Sequence, residues 1–405
     1  METLLLASVF HSPKPTVDDT GRVLTHRYLA LLSHVKFVYN GSGLLMEDRT
    51  MRRIVLVFSI VLLAFPAMAA DKLVLPSPPF ELERTRSDPD RPTRPHAKRY
   101  KGQIHDTHVH LDPQHPGEPT TDLGEILAVS LKNDVTRLTI MPTPNEGRMG
   151  EAGSGAKLRV KLRKLSQGSG VQIDVRCASE YLSVWMDDKA NPSKAESDKR
   201  FARLKADLDG GICKGVGEFG LFHFQKWGHQ AVIDYAPRFD GFLRMAAIVA
   251  DHDMWLDLHA ETVEPKGKSR EDEVFGLIAL LYQRHPDLRL ILAHTAMTNP
   301  KNAEALLRAY PNLMFNFKLV TDHSKWRNLE PICNERGELY EDWAKLMEAM
   351  PGRFMVGTDA KFGRPRSPTR KYRKSIKGVR KALGSLNKEA AQLIAWKNSE
   401  KVFGN

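Results

Sequence analysis

A (β/α)8 TIM barrel over residues 102–405 is the fold that three observations predict. Short β-branched runs alternate with longer segments whose apolar residues recur at three- and four-residue steps, the grammar of a parallel α/β fold. There are eight such runs, the barrel's strand number, in a stretch close to its usual length of about 250 residues. Ionisable side chains stand at the ends of five of them. Periodicity alone would equally allow a doubly wound open sheet, so the third observation has to decide.

In chain order the strand candidates are Gln103–His110, Thr136–Met141, Val171–Glu180, Cys213–Leu221, Met254–Ala260, Leu288–His294, Asn312–Phe317 and Arg353–Thr358. Between them, Ala195–Leu208, Tyr235–Asp251, Glu271–His285 and Leu339–Met350 read as amphipathic helices. His108 and His110 close the first strand two residues apart, so both imidazoles project from one face. Glu218 ends the fourth strand, His259 the fifth and His294 the sixth, and Asp359 follows the eighth. The steps between them are 108, 41, 35 and 65 residues, which correspond to three, one, one and two strand–helix units. Strands 1, 4, 5, 6 and 8 can share one mouth only if strand 8 lies beside strand 1, which a closed barrel provides and an open sheet does not.

With those residues in place the chain resembles the amidohydrolase superfamily. That family shows His-x-His on strand 1, a carboxylate or carboxylated Lys on strand 4, His on strands 5 and 6, and Asp on strand 8. The matching segments are Ile104–Leu111, Gly215–Gly220, Leu256–Glu261, Leu290–Thr295 and Phe354–Asp359, and Asn398–Gly404 resembles the family's closing helix, a C-terminal helical extension. The resemblance implies a metal-dependent hydrolase of the type 2 or TatD-like branch, in which metal-bound hydroxide cleaves an amide, ester or lactone. It also implies one or two divalent ions, zinc first, held by His108, His110, Glu218, His259, His294 and Asp359. Glu218 would bridge two ions. Asp359 would carry the proton, with His294 positioning substrate or holding the second ion, and Asp106 would orient a ligand from behind. Phe222 stands where TatD-type nucleases place an Asp, which weighs against the nuclease alternative. A decarboxylase using the same site is a further alternative, and an envelope-binding module on a vestigial barrel is the non-enzymatic one.

The chain has 405 residues, 41% of them hydrophobic, and a net charge of +11, which excludes disordered and collagen-like classes. Three cysteines without a Cys-x-x-Cys exclude a zinc ribbon, an iron–sulfur cluster and a dense disulfide framework. Cys177 and Cys213 fall on adjacent strands and are expected as buried thiols rather than a disulfide. Ten basic and no acidic residues lie between Lys361 and Lys381. That stretch is expected to capture an anionic small-molecule substrate through Arg364 and Arg366, to dock on nucleic acid or an anionic envelope surface, or to be a solvated helix face. Lys318 and His223 are further candidates to touch substrate, with a surface histidine the alternative for His223. Gly215-x-Gly217-x-x-Gly220 also fits a dinucleotide fingerprint, but Leu221–Gly228 is too aromatic and broken to open the required helix.

Met51-Arg-Arg, the apolar run Ile54–Phe65 and Ala67-Met68-Ala69 read as a signal peptide over residues 51–69. The expected product is exported, periplasmic or secreted, with no membrane span; the alternative is an uncleaved anchor. Residues 1–50 read as an upstream extension absent from the natural product. The six prolines of residues 70–101 predict an extended arm or linker.

Overall fold

The computed structural model describes residues 75–404, except 85–86, 89, 96–97, 112–121, 144–153, 188–192, 225–232, 235–238, 265–266, 321–329 and 363–367. The signal-peptide segment and the residues before it lie outside the described residues, as do Arg364 and Arg366.

The strands are β1 (Ile104–Leu111), β2 (Val135–Met141), β3 (Gln172–Cys177), β4 (Cys213–His223), β5 (Trp255–Ala260), β6 (Arg289–Leu292), β7 (Leu313–Phe317), β8 (Phe354–Val356) and β9 (Ala360–Phe362). They pair in parallel in the order β9–β1–β2–β3–β4–β5–β6–β7–β8, and Ile233–Asp234 adds a short antiparallel edge to β4. The outer members of that order, β8 and β9, are halves of one strand position separated only by Gly357-Thr358-Asp359, so the sheet closes into a barrel. Among the bonds that sew the seam, Thr107 Oγ1 donates to the Val356 carbonyl at 2.8 Å, and the Asp359 amide donates to the His108 carbonyl at 2.9 Å.

Helices α1 (Leu123–Leu131), α2 (Ser154–Leu165), α3 (Ser179–Asp187), α4 (Lys194–Asp209), α5 (Phe239–Asp251), α6 (Glu271–Arg284), α7 (Pro300–Ala309), α8 (Glu341–Ala349) and α9 (Pro368–Leu383) lie between or after the strands. Side-chain caps set several starts: Asp122 accepts from Gly124 N, Ser193 from Glu196 N, and Asn299 from Asn302 N just ahead of Pro300. Each cap uses one amide that the first turn leaves without a helical partner. After α9, Lys388–Gln392, a π turn at Leu393–Lys397 and Asn398–Phe403 fold under the barrel. There Phe403 packs on Ile291, Met314 and Met355, and Ser399 Oγ lies 2.8 Å from His105 Nδ1. No helix among the described residues is long and apolar enough to cross a membrane.

Three features differ from expectation. Cys177 and Cys213 form a disulfide. β3 and β4 pair with Val175 opposite Cys213, which leaves the two Cα atoms 5.8 Å apart, inside the range a disulfide spans. The third strand stops at Cys177, and Ser179 and Glu180 already belong to α3. The proline-rich arm is extended, but it is packed from Leu75 onward. Leu75, Phe80 and Leu82 lie against the core, Glu83 N donates to Asn302 Oδ1 of α7 at 2.8 Å, and Arg94 pairs with Glu341 and Glu348 of α8 at 3.0 and 2.6 Å. Arg91, only 8% exposed, sits 2.7 Å from Glu330 and over the Tyr340 ring. Tyr100 N then donates to the Arg380 carbonyl of α9 at 2.9 Å.

Candidate metal centre

Four histidines and two carboxylates from five strand positions converge at the C-terminal mouth of the barrel. Alternation along β1 sends His108 and His110 to the interior, where their Nε2 atoms lie 3.2 Å apart. Glu218 of β4 sits among all four imidazoles. Its Oε1 is 2.6 Å from His259 Nδ1, 3.4 Å from His108 Nε2 and 3.5 Å from His294 Nε2, and its Oε2 is 3.4 Å from His110 Nε2. Asp359 completes the ring, with Oδ1 3.1 Å from His110 Nε2 and Oδ2 3.8 Å from His294 Nε2. His108, His110, Glu218 and His294 are all buried.

The backbone brings these groups inward by unusual means. His294 and the three residues after it have φ values of 51–56°, and Asp359 has φ 52°, a left-handed conformation seldom adopted by such residues. The chain therefore turns sharply at the ends of β6 and β8. Asn316 Oδ1 accepts from the His294 amide at 3.1 Å and holds the first turn. Asp106 fixes the second: Oδ1 accepts from Thr358 N at 2.9 Å and Oδ2 from Thr358 Oγ1 at 2.6 Å. Asp106 thus acts on the backbone beside Asp359 rather than on a ligand ring. Gly217 is required by close approach, since a Cβ there would lie 2.6 Å from Asp257 Cβ. The fingerprint-like glycines sit on a strand that continues to His223 and opens no helix.

Several polar groups that the sequence reading did not single out support the ring. Asp257 Oδ2 pairs with the buried Arg176 guanidinium, accepts from Asn316 Nδ2 at 3.2 Å and lies 3.5 Å from His108 Nδ1. Glu261 Oε1 is 3.0 Å from His259 Nε2, and Glu261 Oε2 accepts from Phe224 N at 3.0 Å. Carboxylates behind ring nitrogens fix which nitrogen faces the centre. Asp257 and Glu261 lie two residues either side of His259, so the period of two along β5 was an available signal. Arg176 and Asn316 carried none.

His223 is 14% exposed and its ring lies tilted against that of His259, centroids 4.3 Å apart, so it is part of the site rather than a surface residue. Lys318 Nζ is 2.5 Å from Asp359 Oδ2, and Lys361 Nζ is 3.6 Å from Asp359 Oδ1. Two ammonium groups thus border the mouth.

The carboxylates set the electrostatics of the ring. Burial drives His108 and His259 toward the neutral form, but Glu218 with Asp257 holds His108 up at about 10, and Glu218 with Glu261 holds His259 up at about 9. For Glu218, burial raises the carboxyl and the neighbouring histidines more than reverse it, leaving it well below the usual range. Burial leaves His294 at about 3, a neutral ring. The carboxylates draw positive charge into a buried ring, while the ring nitrogens of His294 have no hydrogen-bond partner. Two ligand atoms on one ion at about 2.1 Å each can be at most about 4.2 Å apart, and the separations above fit. The donor atoms of His108, His110 and Glu218 lie within 4.8 Å of one another, as do those of Glu218, His259 and His294, so each triad fits a divalent cation. Other donor triads within 4.8 Å are His108/His294/Asp359 and His223/His259/Glu261.

No family model and no curated protein matches the chain. Solved structures similar to it include amidohydrolase II (13% identity, TM-score 0.46, covering 75% of this chain and 100% of that one). Dihydroorotase from Campylobacter jejuni is 16% identical, with a TM-score of 0.43 over 75% of this chain and 83% of its own. A 2,6-dihydroxybenzoate decarboxylase with bound 2,6-dihydroxybenzoate is 11% identical, with a TM-score of 0.45 over 75% and 99%. What the site can do is carried by its own side chains.

Proposed function

We propose that the protein is a metal-dependent hydrolase of the amidohydrolase type, acting on an amide, ester or lactone of an anionic small molecule. The observation that carries this reading is the convergence of His108, His110, His259, His294, Glu218 and Asp359 on one buried point, with unpartnered donors among them. A bound divalent ion, zinc by choice of nitrogen and carboxylate donors, would polarise the scissile carbonyl and lower the pKa of an attacking water. The chain's own residues do the rest. Asp359 Oδ1 faces the centre and accepts the proton that water loses as its oxygen bonds to the carbonyl carbon. Asp359 then returns the proton to the departing nitrogen or oxygen as that bond breaks. Lys318 and Lys361 orient an anionic group of the substrate beside it.

The test is metal analysis beside turnover. Purified protein should hold one to two equivalents of a divalent ion, and chelation should abolish hydrolysis across a panel of amides, esters and lactones. Unchanged metal content in His108→Ala would refute the site. The two lysines favour one second reading, loss of CO2 from a carboxylate held at the same mouth, which release of CO2 without hydrolysis would identify.

We also infer export. Met51–Ala69 supports it, as does a disulfide, which persists in oxidising compartments. The secreted or periplasmic product should begin at Ala70. Recovery of chains that begin at Met1 from the cytoplasm would overturn it.

A further inference from the structure

The proposed chemistry leaves the largest charge feature of the molecule unused. α9 turns Tyr372, Ile376 and Val379 into the barrel and presents Arg370, Lys371, Arg373, Lys374 and Lys377 to solvent. Beside it, Glu125, Ala128, Val129 and Lys132 of the α1 segment face Thr369, Arg370 and Arg373 across a shallow groove. Beyond α1, the acid-free α2 exposes Lys157, Lys161 and Lys164. The arm extends the same face from the other side. Its Lys98, Arg99 and Lys101 are exposed where Tyr100 N bonds to the Arg380 carbonyl. On α1, α2 and α9 and the turn after α1, the described exposed carboxylates are Asp122, Glu125 and Asp134, and Asp134 is 3.5 Å from Arg380.

Apolar side chains stand at the edge of this basic face. Among the described residues the exposed large hydrophobics are Leu131, Leu165 and Ile212, at 43%, 50% and 45% exposure. Leu131 ends α1 and Leu165 ends α2. A Cβ on Gly170, in the turn after α2, would lie 3.3 Å from Leu131, and Arg163 Nη1 donates to the Ile212 carbonyl at 3.3 Å, so the three are linked along one rim. All three are aliphatic. Stacking on nucleotide bases calls for aromatic rings, whereas aliphatic tips beneath a fringe of lysines suit the boundary between phospholipid headgroups and acyl chains.

We propose that the face formed by α9, α1 and α2 docks the protein on an anionic phospholipid bilayer, with Leu131 and Leu165 entering the headgroup boundary. Juxtaposed Lys and Arg gain from the negative surface potential, and the gain falls away within about 8 Å at physiological salt.

The protein beginning at Ala70 should co-sediment with vesicles of equal parts phosphatidylglycerol and phosphatidylcholine, should ignore phosphatidylcholine alone, and should be released by added salt. Combining Arg370→Gln, Arg373→Gln, Lys374→Gln and Lys377→Gln, all exposed, should weaken vesicle binding by more than about a hundredfold, at roughly fivefold per charge. Leu131→Ser with Leu165→Ser should lower the vesicle-bound fraction at unchanged charge. Absence of phosphatidylglycerol-dependent binding, equal binding by the charge variant, or no effect of the leucine variant would each overturn the proposal. So would tighter binding to duplex DNA than to vesicles at the same salt.

Discussion

His105 should make the barrel acid-sensitive in a defined window. Its ring is buried under the barrel floor, 2.8 Å from Ser399 Oγ and edge-on to Trp396, and burial with the nearby Arg137 lowers it from 6.5 to about 4. A histidine lowered in the folded state contributes stability that is fully present above its unfolded pKa. The contribution is lost as pH falls from about 6.5 toward 4, because the unfolded chain takes up the proton first. The difference of about 2.5 units is worth about 3 kcal/mol at 1.36 kcal/mol per unit, of which about 2 kcal/mol is gone by pH 4.5. Urea unfolding at pH 7, 6, 5 and 4.5, on wild type and on His105→Gln, isolates this contribution, since the carboxylates titrate alike in both. The wild type should lose about 2 kcal/mol more than the variant between pH 7 and 4.5. Parallel profiles would refute the reasoning.

Other perturbations follow from the same contacts. Asp257→Asn strands the buried Arg176 guanidinium and removes the carboxylate behind His108. It should cost about 3 kcal/mol or more and weaken divalent-ion affinity by roughly tenfold, read by denaturant titration and chelator competition. Wild-type values for both would remove Asp257 from the support of the centre. Joint replacement of Cys177 and Cys213 by Ala opens a loop of 36 residues and should lower stability by about 2–4 kcal/mol, with reductant having no effect on the variant. Lys318→Met with Lys361→Met should raise KM for carboxylate-bearing substrates far more than for neutral ones of the same scissile bond; an equal change would deny the lysines a part in recognition.

The ligand ring was legible because each member carries a local signature: a polar residue directly after an apolar strand, at intervals that count whole strand–helix units. Its supports were less so. Asp257 and Glu261 could have been read from their parity with His259, but Arg176 and Asn316 become meaningful only once β3, β5 and β7 face one another across the barrel. The Cys177–Cys213 bond turns on register, which adjacency of strands does not supply. The break in the last strand depends on left-handed backbone at Asp359, a conformation that Asp tolerates better than most residues but that its presence after an apolar run does not by itself dictate. Proline density announced an extended arm but had no bearing on what lies beneath it.

That arm works as a hoop around staves. Leu75 and Phe80 grip α6, Glu83 grips α7, Arg94 grips α8 and Tyr100 grips α9, and only then does the chain dive into the first stave. A shortened protein begun at Gly102, where the strand pattern starts, would shed the hoop and bare the greasy strip that Leu75, Phe80 and Leu82 cover. Clumping of such a trimmed product would reflect the missing hoop, not a faulty barrel.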